Sequence, residues 1–361
     1  MKVCIVCGAR PNFIKVAPLL RALTDRQRDF SLVYTGSEND PTLESTLFED
    51  LQIPRPDVFL GVDSQSLNEI TGRVMGAFDQ YLEKHSADVV IVVDDLASTM
   101  AAAIVTKKRG IRLAHLVAGT RSFDITMPKE VNRLVIDGLS DLLFTAGISS
   151  SSHTNTEGVS QNKVYMVGNI LIDNLRYCHD RWQRPALMDE IKLQEGKYIV
   201  LTINRKALLN DQENLQRMLT AIAQNAADVP VVAFIRQYSL LKDSSLHSRA
   251  ELAYPLPFTL NSSLPYLEFG YLTAHALGVI TDSGNVAEEA TFNHVPCITL
   301  NSYTEHIETV KVGTNVLVGE DAELLGKQVA EMVSGTWKHG ALPDRWDGRT
   351  AERILQILDN G

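Results

Sequence analysis

Val3-Cys4-Ile5-Val6-Cys7-Gly8-Ala9-Arg10-Pro11-Asn12-Phe13-Ile14-Lys15-Val16-Ala17-Pro18-Leu19-Leu20 is the stretch whose reading decides the fold. The apolar run Val3 to Cys7 predicts a buried strand. It breaks at Gly8, where a missing side chain lets the backbone approach a ligand closely. Pro11 suits the first turn of a helix, where its absent N–H costs nothing. The apolar residues from Phe13 to Leu20 continue that helix. Arg10 and Lys15 then stand at the mouth of a strand–loop–helix unit, beside the positive end of the helix dipole, where anions bind. Taken alone, the same stretch is equally an ordinary first βα unit with two solvated cations.

The alternation continues outward. Phe30–Thr35 predicts a strand and Leu67–Lys84 has helical periodicity. Asp88–Val93 is a β-branched run ending in Asp94-Asp95, with a helix predicted over Ser98–Arg109. Short strands are predicted at Leu113–Leu116, Leu142–Thr145 and Lys163–Val167. A charged, linker-like stretch, Cys178–Lys197, separates a second series: Tyr198–Thr202, Val229–Phe234, Gly278–Thr281 and Cys297–Leu300, each followed by helix-like sequence. Thr350–Leu358 reads as a terminal helix. Apolar strands alternating with helices predict an α/β fold with parallel sheets covered on both faces. At 361 residues the chain exceeds one compact core. Two doubly wound domains facing a cleft are expected: residues 1–175, a nucleotide-binding domain over 176–345, and a terminal helix over 346–361 packing back on the first. Ligands of such sheets bind beyond the carboxyl ends of the strands.

Apolar residues make up 45% of the chain and charged residues 22%, which fits an ordinary globular protein. A net charge of −10 argues against nucleic-acid and membrane-surface partners, whose electrostatic footprints are basic. No apolar run reaches membrane-spanning length, and Arg10, Asn12 and Lys15 interrupt any signal-peptide pattern. Cys4 and Cys7 lie an odd number of residues apart on a strand, so they face opposite sides and read as small core residues. With Cys178 and Cys297 isolated, a reduced cytoplasmic protein is expected. The nine histidines lack paired ligand spacing, and neither metal nor cofactor is expected.

Polar groups gather at predicted strand ends. Asp94, Asp95 and His115 do so in the first half, followed by Arg121, Asp124, Lys129, Glu130, Asn132 and Arg133. Asn204-Arg205-Lys206 and Thr281-Asp282-Ser283-Gly284-Asn285 do so in the second. Asp282 or Ser283 can cap the helix carrying Glu288 and Glu289, leaving amides for a diphosphate. The plain alternatives stay open: a capped helix with a solvated acidic face, an Asp95 that caps the next helix, Lys129 and Glu130 as a surface pair, and a half-buried, hydrogen-bonded His115.

Together these motifs resemble the non-hydrolysing UDP-N-acetylglucosamine 2-epimerase family. The landmarks are Gly8–Lys15, Ser122-Phe123-Asp124, Thr126-Met127-Pro128, Asn132-Arg133, Gly168–Asp173, Thr281–Gly284 with Glu288-Glu289, Thr304-Glu305 and Val312–Gly319. The resemblance implies a GT-B-like arrangement of two Rossmann-like domains and a UDP-sugar ligand. It also implies loss of UDP from C1 with removal of the C2 proton, then re-addition with the proton on the other face. Arg10, Lys15, Arg133, Arg205, Phe269, Ser283, Gly284 and Glu289 match positions that hold UDP or sugar in the family.

The chain departs from that family where protons move. In His115-Leu116-Val117-Ala118-Gly119, Val117 stands for a catalytic carboxylate. Lys129 of Pro128-Lys129-Glu130 stands for a second, and Asn204 for a catalytic histidine. Of the four acid/base positions only Asp95 matches. Ser37-Glu38, Arg236-Gln237, Asn285, Asn301 and His306-Ile307 also differ, the last two where the family has arginines near the diphosphate. Valine carries no proton, and asparagine does not titrate near neutrality. Losing one general acid or base typically costs about 10²–10⁴ in rate. The expectation is a nucleotide-sugar-binding protein with C2 epimerisation lost or strongly impaired. It is expected as a homodimer, or as a heteromer with an active homologue. Two alternatives stand beside it: an active UDP-N-acetylhexosamine 2-epimerase using Asp95 and Glu130 in a rearranged site, and a GT-B enzyme of other chemistry.

Overall fold

A computed structural model describes residues 1–156, 163–235, 258–260 and 264–360. The chain divides into two compact units, Met1–His179 with Asp344–Gly361, and Asp180–Pro343.

The first unit runs β1 (Val3–Cys7), α1 (Arg10–Asp25), β2 (Phe30–Tyr34), α2 (Ser45–Leu51), β3 (Val58–Phe59), α3 (Leu67–Lys84), β4 (Val89–Val93), α4 (Ala97–Lys108), β5 (Arg112–Ala118), α5 (Pro128–Leu139), β6 (Leu142–Thr145), α6 (Ile148–Thr156), β7 (Val164–Met166) and α7 (Ile170–His179). Its sheet has the order β3-β2-β1-β4-β5-β6-β7, and every pairing is parallel. β1 and β4 lie at its centre, and all five residues of each are buried. That explains their unbroken apolar sequence, since a central parallel strand is covered on both faces. α3 begins where the Ser66 side chain accepts from the Glu69 amide. It then buries Val74, Phe78, Tyr81 and Leu82, the stripe its period dictates.

The second unit runs α8 (Ala186–Glu190), β8 (Ile199–Ile203), α9 (Lys206–Asn210), α10 (Gln212–Asn225), β9 (Val231–Ile235), β10 (Phe258–Leu260), α11 (Tyr266–Ala274), β11 (Gly278–Thr281), α12 (Gly284–Phe292), β12 (Cys297–Thr299), α13 (Ile307–Lys311), β13 (Asn315–Leu317) and α14 (Ala322–Val333). Its parallel sheet is ordered β10-β9-β8-β11-β12-β13. A last helix, α15 (Thr350–Asn360), returns to the first unit and packs on α1 and α7.

Each sheet therefore reverses its winding at one place: between β1 and β4 in the first unit, and between β8 and β11 in the second. Such switch points open a crevice beyond the strand ends. Cys4, Cys7, Cys178 and Cys297 are free and buried. Cys178–Lys197 is not a plain linker. α7 carries Cys178 into the core of the first unit, and α8 buries Met188 in the second. The charges there mask a helical apolar spacing.

Candidate functional site

At the β1/β4 switch point the polar groups satisfy one another. Asn12 Oδ1 accepts the amides of Gly8 and Ala9 at 2.9 and 3.2 Å, while its Nδ2 donates to Asp94 at 2.7 Å. Lys15, which is buried, donates to Asp94 Oδ1 at 2.6 Å. Lys15 thus ties the end of β4 to α1. Asp94 sits at φ 58°, in the left-handed region. His115 Nε2 donates to its carbonyl at 2.9 Å, and His115 Nδ1 lies 2.5 Å from Asp137. Asp137 also receives Arg121 at 2.7 Å and the Gly119 amide at 3.1 Å. Burial raises the Asp137 carboxyl, but His115 and Arg121 outweigh it and hold the group below its usual range. His115 is fully buried rather than half-buried. Arg10, the first residue of α1, is half-buried, and its side chain has no polar partner among the described residues.

Asp95 is not a helix cap. Leu96 occupies the N-cap position of α4, and Asp95 turns instead to α5. Arg133 donates to Asp95 Oδ2 through Nε at 2.9 Å and Nη2 at 2.5 Å. Its Nη1 reaches Glu130 at 3.0 Å. Lys129 Nζ stands 3.6 Å from the other oxygen of Asp95. Glu130 accepts further from the Ser122 amide and hydroxyl, both at 2.9 Å, and from the Phe123 amide at 3.1 Å. So Lys129 and Glu130 are not a surface pair. Glu130 is buried and anchors the loop before α5, while Lys129 projects into solvent beside Asp95. Burial raises both carboxyls, yet Lys129 and Arg133 at Asp95, and Ser122 and Arg133 at Glu130, leave both below their usual ranges.

Val117 lies in β5 at φ 70°, where the register against β6 shifts between Leu116 and Ala118. A β-branched residue in left-handed backbone is strained. The surroundings impose it. A Cβ on the next glycine, Gly119 at φ 75°, would collide with the Ser150 carbonyl, so the turn has no slack.

The β8/β11 switch point is arranged differently. Asp282 Oδ2 accepts the amides of Asn204 and Arg205 at 2.7 and 2.6 Å, joining the two strand ends. It does not cap α12. Ser283 holds the N-cap position without a side-chain bond, and its own amide donates to Thr281 Oγ1 at 3.0 Å. Burial pushes the Asp282 carboxyl up, only partly opposed by the Arg205 and Asn204 amides. Arg205 pairs with Glu320 and donates to the Leu300 carbonyl at 3.0 Å. Asn301 Nδ2 donates to the Asp282 carbonyl at 3.3 Å. Three buried atoms here, Arg205 Nε, Asp282 Oδ1 and Asn301 Oδ1, have no hydrogen-bond partner among the described residues. Asn204 is exposed at the strand end.

Around this point lie buried Glu288 and Glu289 on α12, and His306, whose Nδ1 is 2.8 Å from Glu288. Phe269 on α11 packs edge-on against Phe234 with ring centroids 5.5 Å apart, and both rings are partly buried against the core of the second unit. Gly284 admits the imidazole of His306, which a Cβ there would meet at 2.7 Å. Arg236 and Gln237 lie outside the described residues.

The geometry thus gathers Arg205, Ser283, Gly284 and Glu289 about one switch point, and Arg10, Lys15, Asp95, Glu130 and Arg133 about the other. Sequence reasoning did not assign Arg121–Asp137–His115 as one buried cluster or Asp94 as the partner of Lys15. The period of α5 carried a signal for a related case, since Glu130 and Arg133 are three apart and share a helix face.

A family model described as UDP-N-acetylglucosamine 2-epimerase matches residues 21–359. The UDP-N-acetylglucosamine 2-epimerase of Methanocaldococcus jannaschii is 33% identical over 371 residues, with all of both chains covered. A UDP-2,3-diacetamido-2,3-dideoxy-D-glucuronate 2-epimerase of Pseudomonas aeruginosa is 30% identical, with 90% of each chain covered. The crystal structure of the M. jannaschii enzyme in complex with UDP-GlcNAc and UDP matches the whole fold, at a TM-score of 0.88 and 32% identity, covering 100% of both chains. The family model spans most of the chain and the relatives match it over its full length, and the chain belongs to the UDP-N-acetylglucosamine 2-epimerase family.

Proposed function

We propose that this chain binds a UDP-linked N-acetylhexosamine and that its C2 epimerisation is lost or strongly impaired. The observation that carries the reading is the sharing of Arg133 between Asp95 and Glu130. These are the carboxylates left for proton transfer once Val117, Lys129 and Asn204 fill the other positions. A general base must take up a proton in the transition state, and it works best with a pKa near the working pH. Asp95 and Glu130 are driven the opposite way, and Glu130 has both oxygens committed to the loop at Ser122 and Phe123. A lysine serves as a base only when its charged form is disfavoured. Lys129 is solvated, with its Nζ 3.6 Å from Asp95, and not desolvated in the way such a base requires.

Ligand binding is supported by the other switch point. Buried atoms of Arg205, Asp282 and Asn301 that have no hydrogen-bond partner among the described residues border a helix start whose Ser283 N-cap makes no side-chain bond among them. Helix N-termini bind diphosphate through such amides. A family relative has been solved with UDP-GlcNAc and UDP. We read the chain as cytoplasmic, and as a homodimer or a partner of an active homologue. No helix among the described residues is long and apolar enough to cross a membrane.

Incubation with UDP-GlcNAc in D₂O tests the reading, because deuterium at C2 reports C–H cleavage even when net conversion is nil. Calorimetry is expected to show UDP-GlcNAc binding, and NMR no deuterium at C2 and no UDP release. Wash-in at C2 at high protein concentration overturns the loss of activity. Released UDP without a C2 epimer points instead to other GT-B chemistry.

A further inference from the structure

We infer that the His306–Glu288 pair makes binding of the nucleotide diphosphate proton-coupled: His306 binds as an imidazolium whose charge appears with the ligand. The inference rests on the proposed UDP site and adds to it the residue that sets its pH response.

His306 is held both at its backbone and at its ring. Its amide donates to Thr304 Oγ1 at 3.0 Å, its carbonyl accepts from the Thr309 amide and hydroxyl at 2.9 and 2.7 Å, and its Nδ1 meets Glu288 at 2.8 Å. Glu288 is 3% exposed, while the His306 side chain keeps 19% of its surface. The Nδ1 contact turns the opposite edge of the ring toward the start of α12. The ring comes so close that a Cβ on Gly284 would lie 2.9 Å from Nε2. Glycine at this position is what lets an imidazole edge reach the amide end of the helix.

Two influences oppose each other there. The positive end of the α12 dipole disfavours a cation. Glu288, almost wholly buried, favours one, because a carboxylate close to an imidazole stabilises its charged form. Among the described residues, the further acidic groups on α12 and the elements beside it are Glu289 on α12, Asp282 at the end of β11 and Glu268 on α11, with Glu305 and Glu308 next to His306 in the chain. On the same elements and strand ends, the described residues include the cations Lys311 on α13 and Arg205 beyond β8. β12 and β13 carry no charged side chain. A diphosphate at the α12 amides neutralises the dipole end and adds negative charge beside Nε2. Both effects favour the protonated ring, so ligand and proton bind together. A histidine is the side chain whose ordinary titration lets this happen near neutrality.

The test uses the full chain, UDP as probe, and three proteins: wild type, His306→Arg and His306→Gln. Calorimetry in buffers of different ionisation enthalpy counts protons taken up, and Kd is measured from pH 6 to pH 8.5. UDP titrates identically against all three, so differences belong to residue 306. Wild type is expected to take up more protons than either variant. Its Kd is expected to rise relative to that of His306→Arg by up to about tenfold per pH unit once the ring titrates, the limit for one linked proton. His306→Gln is expected to bind weakly and without the extra pH dependence. Equal proton uptake and parallel pH profiles in wild type and His306→Arg overturn the inference and leave the UDP site standing. Failure of wild type to bind UDP at any pH overturns the site and the inference together.

Discussion

The two switch points occupy the same place in two sheets of like topology, and their electrostatics differ. Beside β4 in the first unit, Asp94, Asp95, Glu130 and Asp137 each hold a cation: Lys15, Arg133 twice, and Arg121. Asp95, Glu130 and Asp137 are all held below their usual ranges. Beside β11 in the second unit, Asp282 is pushed up, and atoms of Arg205, Asp282 and Asn301 lack partners among the described residues. A saturated cluster is rigid and ionised, suited to holding a loop or an anion in place. An under-satisfied one gains most when a ligand completes its hydrogen bonds, because a buried unpaired polar group costs about 1–3 kcal/mol. On the reading we propose, the two halves play different parts, a ligand seat in one and a fixed charge lattice in the other.

The largest effect that can break this comparison comes from Arg133→Met. Arg133 is 2% exposed and sits between two carboxylates. Removing one partner of a buried ion pair typically costs about 3–5 kcal/mol. Chemical denaturation is expected to show a loss of that size. The matching change in the second unit, Arg205→Met, removes a guanidinium that is 36% exposed and pairs with an equally exposed Glu320. Its stability cost is expected to stay below about 1 kcal/mol. Its effect belongs in calorimetric UDP binding, as a weaker Kd. Equal stability losses from the two variants would erase the distinction between lattice and seat.

Acidification sharpens the same contrast with smaller energies. Asp95, Glu130 and Asp137 have folded values below their unfolded ones. Their contribution is present above the ordinary carboxylate range near about pH 4 and is lost as pH falls through the depressed values. Asp282 has the opposite sign. Its contribution is complete below the ordinary value and is lost as pH rises through the raised one. Denaturation midpoints measured from pH 3 to pH 7 are expected to fall steeply on the acid side in wild type. Asp282→Asn keeps an oxygen to accept the Asn204 and Arg205 amides. It is expected to leave that acid limb unchanged and to remove a shallow decline above it. A changed acid limb in Asp282→Asn would show that the second unit shares in the acid sensitivity.

Long, strongly patterned elements were legible in the residues. β1, α3, β6 and β11 have the predicted limits, because a fully buried strand is continuously apolar and an amphipathic helix repeats its stripe. Short edge strands escaped. Val58–Phe59 and Asn315–Leu317 are strands only through their neighbours β2 and β12, so no local pattern marks them. The candidate site divides in the same way. The strand-end clusters could be listed from the sequence, since breaks after apolar runs mark strand ends. Their pairings could not, because strand order is a long-range fact. Only the adjacency of β8 and β11 turns Asp282 from a presumed helix cap into the acceptor of the Asn204 and Arg205 amides. Likewise, β4 beside β5 sets the His115 ring against the Asp94 carbonyl.

Val117 gives the smallest and most specific test, since it separates backbone from side chain within the saturated half. Its φ of 70° suits glycine, and the strain of a non-glycine residue in such a region is of order 1–3 kcal/mol. Glycine brings its own entropic cost of roughly 0.5–1 kcal/mol. Val117→Gly is therefore expected to stabilise the protein by about 1 kcal/mol in denaturant titration, and it adds no proton carrier, so on the proposed reading no C2 exchange is expected. The expected sign runs against the usual rule that trimming a half-buried apolar residue destabilises. A loss on Val117→Gly would mean that valine is kept for its packing. A gain would mean that the bulge against β6 and the close approach of Gly119 to Ser150 impose the turn whatever side chain occupies it. In that case the left-handed turn at residue 117 belongs to the backbone and its surroundings and not to the side chain it carries.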